Sequence, residues 1–192
     1  MKTPDVDEVR RLVREAVDRA LGPEQPATRA VAAPTPAPRV VTPDRVAIGS
    51  DHGGFPLKEI LRRYLSEELG WSVHDCGTFS LDAVDYPDFA AAVAREVAAG
   101  RAARGIVVDA AGIGSTMAAN KVAGARCALC HDAATVLNSR QHNDANILAM
   151  GAGVVHRGAA QRMVRLFLTT DFAGGRHERR VAKIMALERG SA

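Results

Sequence analysis

The chain has 192 residues, 47% of them apolar but only 4% aromatic, so a real core is available and Val, Ala, Leu and Ile must fill most of it. A formal charge of +3, with no basic stripe or recognition module, does not imply nucleic acid. No apolar run is as long as a membrane span, the N-terminus lacks the apolar centre of a secretory signal, and three cysteines give no disulfide framework; these features place the chain in the reducing cytosol.

Residues 5–21 place Val6, Val9, Val13, Val17 and Leu21 on steps of three or four, with Arg and Glu opposite, which predicts an amphipathic helix. Asp5 and Glu8 make a capping box, and Gly22-Pro23 ends the run. Such a helix is marginal alone in water, so its apolar stripe needs a partner. Residues 22–43 hold Pro23, Pro26, Pro34, Pro36, Pro38 and Pro43 among Ala and Thr, the composition of an extended tether. The globular domain is expected over 44–192.

There the texture changes to apolar strands over 45–50, 71–76, 105–110, 125–130 and 146–151. Helical patterns follow over 56–69, from Pro87 to 99, over 113–122, through 140, and over 157–170. This alternation predicts a five-stranded parallel sheet in a three-layer α/β/α Rossmann-like sandwich. In such sheets ligands bind beyond the carboxyl ends of the strands.

Candidate chemistry lies at those ends. The first strand finishes in Gly49-Ser50-Asp51-His52-Gly53-Gly54, either a site loop or a polar turn with a helix cap. The third finishes in Asp109-Ala110-Ala111-Gly112-Ile113-Gly114-Ser115, whose glycines open a helix and offer backbone N–H groups to an anion. Asp109 is the informative residue there, a reactive carboxylate or a cap. His142 and Asn143, just before the fifth strand, pair a proton carrier with an amide, or are a structural histidine and its neighbour. Gly174-Gly175-Arg176-His177-Glu178-Arg179-Arg180 clusters arginines that match phosphate oxygens, unless it is a solvated helix face. Cys127 and Cys130 fall on opposite faces of a strand, and no second pair completes a zinc site, so they read as structural. No GxGxxG follows the first strand, which leaves a dinucleotide-binding reading without support.

In order, GSDHGG, DYPDF, GIVV followed by GIG, AANK, ALC, HNDAN and GGRHERR resemble the ribose-5-phosphate isomerase B family, which includes the galactose-6-phosphate isomerase subunits. The resemblance runs from about residue 45 to 185. It implies an aldose–ketose isomerase that works through a cis-enediolate with no metal, nucleotide or other cofactor. It also implies a homodimer or tetramer with active sites at the subunit interface. By position, Asp51 and His52 match the Asp-His of the substrate site, and His142 and Asn143 the pair tied to ring opening and the enediolate oxygens. Arg176 and Arg180 match the phosphate arginines, and Gly112 and Gly114 the loop against O1 and O2.

The chain departs from that pattern at three places. Asp109 stands where many members have a cysteine base, and Ser115 where another branch has a glutamate, so neither familiar base is present and Asp109 is the substitute. Ala111 replaces a threonine associated with opening the furanose ring, which a four-carbon sugar phosphate would not require. Gly153 replaces an arginine that assists phosphate binding. The missing groups also leave room for a non-catalytic sugar-phosphate-binding homologue. Residues 5–21 and their tether resemble the encapsulation peptides that dock enzymes on bacterial microcompartment shell or cargo proteins, which would place the chain in a microcompartment lumen.

Overall fold

A computed structural model describes residues 45–188; the predicted helix over 5–21 and the tether over 22–43 lie outside the described residues. Five strands, β1 (Arg45–Ser50), β2 (Ser72–Asp75), β3 (Arg104–Asp109), β4 (Cys127–Leu129) and β5 (Ile147–Gly151), form one sheet in the order β2-β1-β3-β5-β4. Every pairing is parallel, with Val46 opposite Arg104 and Gly105 opposite Ile147. Six helices surround it: α1 (Phe55–Arg63), α2 (Tyr86–Ala98), α3 (Ile113–Ala119), α4 (Ala133–Asn143), α5 (Arg157–Thr169) and α6 (Arg176–Leu187). None is long and apolar enough to cross a membrane.

The three central strands are buried on both faces, which is why they read as continuous apolar runs. Alternation sends Val46, Ile48, Ile106, Val108, Leu148 and Met150 to one side, against Leu61, Met163, Val164 and Phe167. Ala47, Val107, Ile147 and Ala149 face the other side, against Ala90, Val93, Ala94 and Val97 of α2. Cys127 and Cys130 fall in these two opposite cores, and burial pushes the Cys127 thiol up to about 12.

Several boundaries differ from expectation. The helix predicted over 56–69 is α1 continued by a π-helical turn, Tyr64–Glu68. The strand expected over 125–130 shortens to Cys127–Leu129, and the helix expected over 113–122 ends at Ala119. Helix α4 runs past 140 to Asn143, so His142 and Asn143 lie in its last turn rather than in a loop. Its stop is Asp144, a non-glycine residue in the left-handed region at φ 46°.

The strand order reverses between β1 and β3, because the chain leaves β1 toward β2 on one side and continues from β3 toward β5 and β4 on the other. The carboxyl ends of β1 and β3 therefore open a crevice at a topological switch point. Asp51 and Asp109 stand at those two ends.

Candidate active site

At the β1 end, Asp51 is buried and its Oδ1 accepts the N–H of Gly54 at 2.8 Å, which starts α1. Next to it, Nδ1 of His52 accepts the Val84 N–H at 3.2 Å. A main-chain N–H can only donate, so Nδ1 presents its lone pair and Nε2 carries the hydrogen. Gly54 lies directly on the β3 backbone, where a Cβ would stand 3.0 Å from the Asp109 nitrogen, so the loops after β1 and β3 touch.

At the β3 end, Asp109 is 5% exposed and folds its carboxylate into its own loop. Oδ1 accepts the N–H groups of Ala111, at 2.9 Å, and of Gly112; Oδ2 accepts only the Ser115 N–H, at 3.2 Å. Gly112 makes this turn possible with φ +82°, a conformation that L side chains rarely adopt. The carboxylate thus caps α3, as one reading of the sequence allowed, and it draws on the amides that the other reading offered to an oxyanion. Thr116 Oγ1 donates to the Gly112 carbonyl at 2.6 Å and fixes the loop from the far side. Ser115 is buried, and its Oγ has no hydrogen-bond partner among the described residues. Sequence reasoning did not single out Tyr86, whose ring lies over Gly114 so closely that a Cβ there would be 2.5 Å from its Cζ. Its signal is DYPDF, an aromatic residue opening a helix beside a glycine loop.

The other half of the predicted set is elsewhere. Asn146, three residues beyond Asn143, accepts the N–H of Gly105 at the amino end of β3. His142 stacks on His177 at 4.2 Å between centroids and 6° between planes, which brings the start of α6 to the same place. Arg176 Nε donates to His177 Nε2 at 3.5 Å, and Arg180 donates to the Arg176 carbonyl at 3.3 Å; both arginine side chains are otherwise exposed. Burial, then the positive charges of His142, Arg176 and Arg180, hold the His177 imidazole below its usual range. Within one chain, then, His142, Asn143, Arg176 and Arg180 lie at the amino end of the sheet, and Asp51, His52, Asp109, Gly112, Gly114 and Ser115 at the carboxyl end. The length of β3, about 17–20 Å at the usual strand rise, separates them. A cavity of about 630 Å³ between β4, α4 and α6 includes Asn143, Ile184 and Leu187 but no residue of the Asp51–Asp109 crevice.

The model of the ribose/galactose isomerase family matches residues 46–184, nearly all of the described residues. The chain belongs to that family. Membership places it among isomerases of sugar phosphates. The ribose/galactose isomerases it resembles include ribose-5-phosphate isomerase B of Escherichia coli, 42% identical over 144 residues that cover 75% of this chain and 96% of the relative. The solved ribose-5-phosphate isomerase B of Clostridium thermocellum is 44% identical with a TM-score of 0.75, covering 77% of this chain and 99% of the other. The type B enzyme of Trypanosoma brucei is 46% identical with a TM-score of 0.72, covering 75% and 98%.

Proposed function

We propose that the chain interconverts ribose 5-phosphate and ribulose 5-phosphate through a cis-enediolate, with Asp109 as the base. The observation that carries this reading is the asymmetry of the Asp109 carboxylate at the switch point. Two amides hold Oδ1, whereas Oδ2 has one long contact and can take a proton. In the forward direction the carboxylate removes the proton from C2 and the C–H electrons form the C1–C2 double bond. The former carbonyl oxygen O1 becomes the enediolate oxygen and acquires a proton. The O2 hydroxyl then gives up its proton, which balances the one taken up by O1; the C2–O2 carbonyl forms, and C1 takes the proton from the Asp109 carboxyl, restoring the carboxylate. The Nε2–H of His52 points its hydrogen-bonding capacity at the sugar oxygens, and Asp51 and the Gly112–Gly114 loop line the same crevice.

A complete site in this reading needs two copies. His142 and Asn143, for ring opening and for the enediolate oxygens, and Arg176 and Arg180, for the phosphate, lie at the wrong end of their own sheet. A homodimer, or a tetramer built from it, would bring them to the Asp109 of a second copy. Three amides on one carboxylate also favour a second reading, a homologue that binds a sugar phosphate without turnover. A third, a four-carbon substrate, follows from the methyl group of Ala111.

Proton exchange at C2, followed by NMR in deuterated water with ribose, allose, galactose and erythrulose phosphates, separates these readings. Asp109→Asn should bind the substrate but turn over more slowly by about two to four orders of magnitude. Equal turnover would remove Asp109 as the base, and binding without exchange in the parent would establish the non-catalytic reading.

Residues 5–21 we assign to docking on a microcompartment shell or cargo protein, on the strength of the valine stripe in their sequence. Deleting residues 1–43 should leave turnover intact and abolish co-purification with a co-expressed shell; retained co-purification would end that assignment.

A further inference from the structure

A second cavity, about 510 Å³, opens beside the crevice between the start of α1 and the start of α5. Gly53, next to His52, and Ala110, next to Asp109, line one wall, so it begins where the reacting carbons would lie. Pro56, Leu57 and Ile60 supply apolar walls, and His156 and Arg157 close the rim. No carboxylate lines it, and Arg157 makes no ion pair or hydrogen bond with a described residue. Gly153 also lines the cavity, and a Cβ there would press on the Ala110 carbonyl oxygen at 3.1 Å.

We propose that Arg157, with His156 beside it, joins Arg176 and Arg180 of a second copy in binding the phosphoryl group of the sugar phosphate at this cavity, an assignment that rests on the isomerase reading. The residue is distinct from the arginines at 176 and 180, and it belongs to the same chain as Asp109. Arg157 is exposed at the rim, and with no carboxylate among the lining residues its guanidinium is free to meet an anion entering the cavity. Its planar fork matches two phosphate oxygens at once. The apolar floor accommodates the carbon chain between the phosphate and the reacting end. The cavity thereby selects sugars that carry their phosphate at the end remote from the carbonyl.

The test uses the full chain and reads binding separately from turnover. Titration calorimetry with inorganic phosphate and with ribose 5-phosphate should show affinities for Arg157→Gln weakened by about tenfold relative to the parent. KM should rise by about the same factor with kcat little changed, the signature of a contact made equally in ground and transition states. Arg157→Lys should fall between the two, and phosphate should compete with the sugar phosphate. Unchanged affinity and KM in Arg157→Gln would overturn the assignment. So would phosphate binding that depends on Arg157 but does not compete, since the anion would then occupy a separate site. If the parent binds ribose 5-phosphate through Arg157 but exchanges no proton, the catalytic reading fails and the binding assignment stands.

Discussion

The two carboxylate oxygens of Asp75 stand 2.8 and 2.6 Å from Nζ of Lys58, a lysine with no exposed side-chain surface. Asp75 also accepts the Gly77 N–H at 2.9 Å, so the pair ties α1 to the loop that leads to Val84 and hence to His52. Lys58 Nζ also lies 3.2 Å from Glu59 Oε1, so removing Asp75 leaves the buried ammonium one partly exposed carboxylate, and the cost should fall below the about 3–5 kcal/mol typical of a buried pair broken outright. Asp75→Asn should therefore destabilise the chain by no more than about 3 kcal/mol, read as a lower urea midpoint at unchanged slope. Lys58→Met combined with Asp75→Leu should cost much less than either single change. A midpoint for Asp75→Asn equal to the parent's would reduce the pair to an ordinary surface contact.

The Val84 N–H on His52 Nδ1 fixes the tautomer. Nitrogen-15 spectra at neutral to mildly alkaline pH should show Nδ1 as the unprotonated nitrogen and Nε2 as the protonated one. The opposite pattern would mean that the ring offers a lone pair to the sugar rather than a hydrogen, and the role given to it as a donor would be withdrawn.

His177 gives the amino end of the sheet a pH dependence whose sign is fixed. Its folded-state pKa is lowered, so above the ordinary value near 6.5 it is neutral in both the folded and unfolded chain. As the pH falls below that value the unfolded chain takes up the proton first, and stability drops until the folded pKa is reached. The contact between α4 and α6 should loosen over this acidic window, seen as faster amide exchange along α6. His177→Asn should flatten the response. A dependence that persists unchanged in that variant would locate the titrating group elsewhere.

Because the predicted set divides between opposite ends of the sheet, two damaged chains should repair each other. Asp109→Asn and Arg176→Ala, each nearly inactive alone, should recover activity when unfolded together and refolded as a mixture. In a mixed dimer one crevice carries both defects and the other carries neither, so recovery should approach a quarter of the parent's activity for random pairing of equal amounts. No recovery, with mixed dimers demonstrated by mass spectrometry, would mean that Arg176 serves its own chain.

Much of the architecture was readable because β1, β3 and β5 are buried on both faces and so appear as unbroken apolar runs. The carboxyl-end residues were equally accessible, since Asp51 and Asp109 follow directly from where those runs stop. The end of α4 was missed because its stop is Asp144 in a left-handed conformation, with no glycine to announce it. Helix α6 was expected only as the solvated-face alternative for the arginine cluster, because its charged residues outnumber Val181, Ile184 and Met185. What no local pattern reveals is strand order. The order β2-β1-β3-β5-β4 sets the crevice between β1 and β3, whereas His142 before one parallel strand and Asp109 at the end of another fall at opposite ends in any order; only the folded chain shows the Asp109 carboxylate bent back onto Ala111, Gly112 and Ser115.

The AANK motif turns out to guard the flank of the sheet. Asn120 offers its side-chain oxygen to the Cys127 N–H at 2.8 Å and its amide hydrogen to the Cys127 carbonyl at 2.9 Å, copying the hydrogen bonds of a neighbouring strand with a single residue. A strand as short as β4 is already a poor template for edge-to-edge growth, and this plug removes its first pair of open groups. Replacing Asn120 would unseal that border, and the first symptom would be self-association of folded molecules rather than loss of the core.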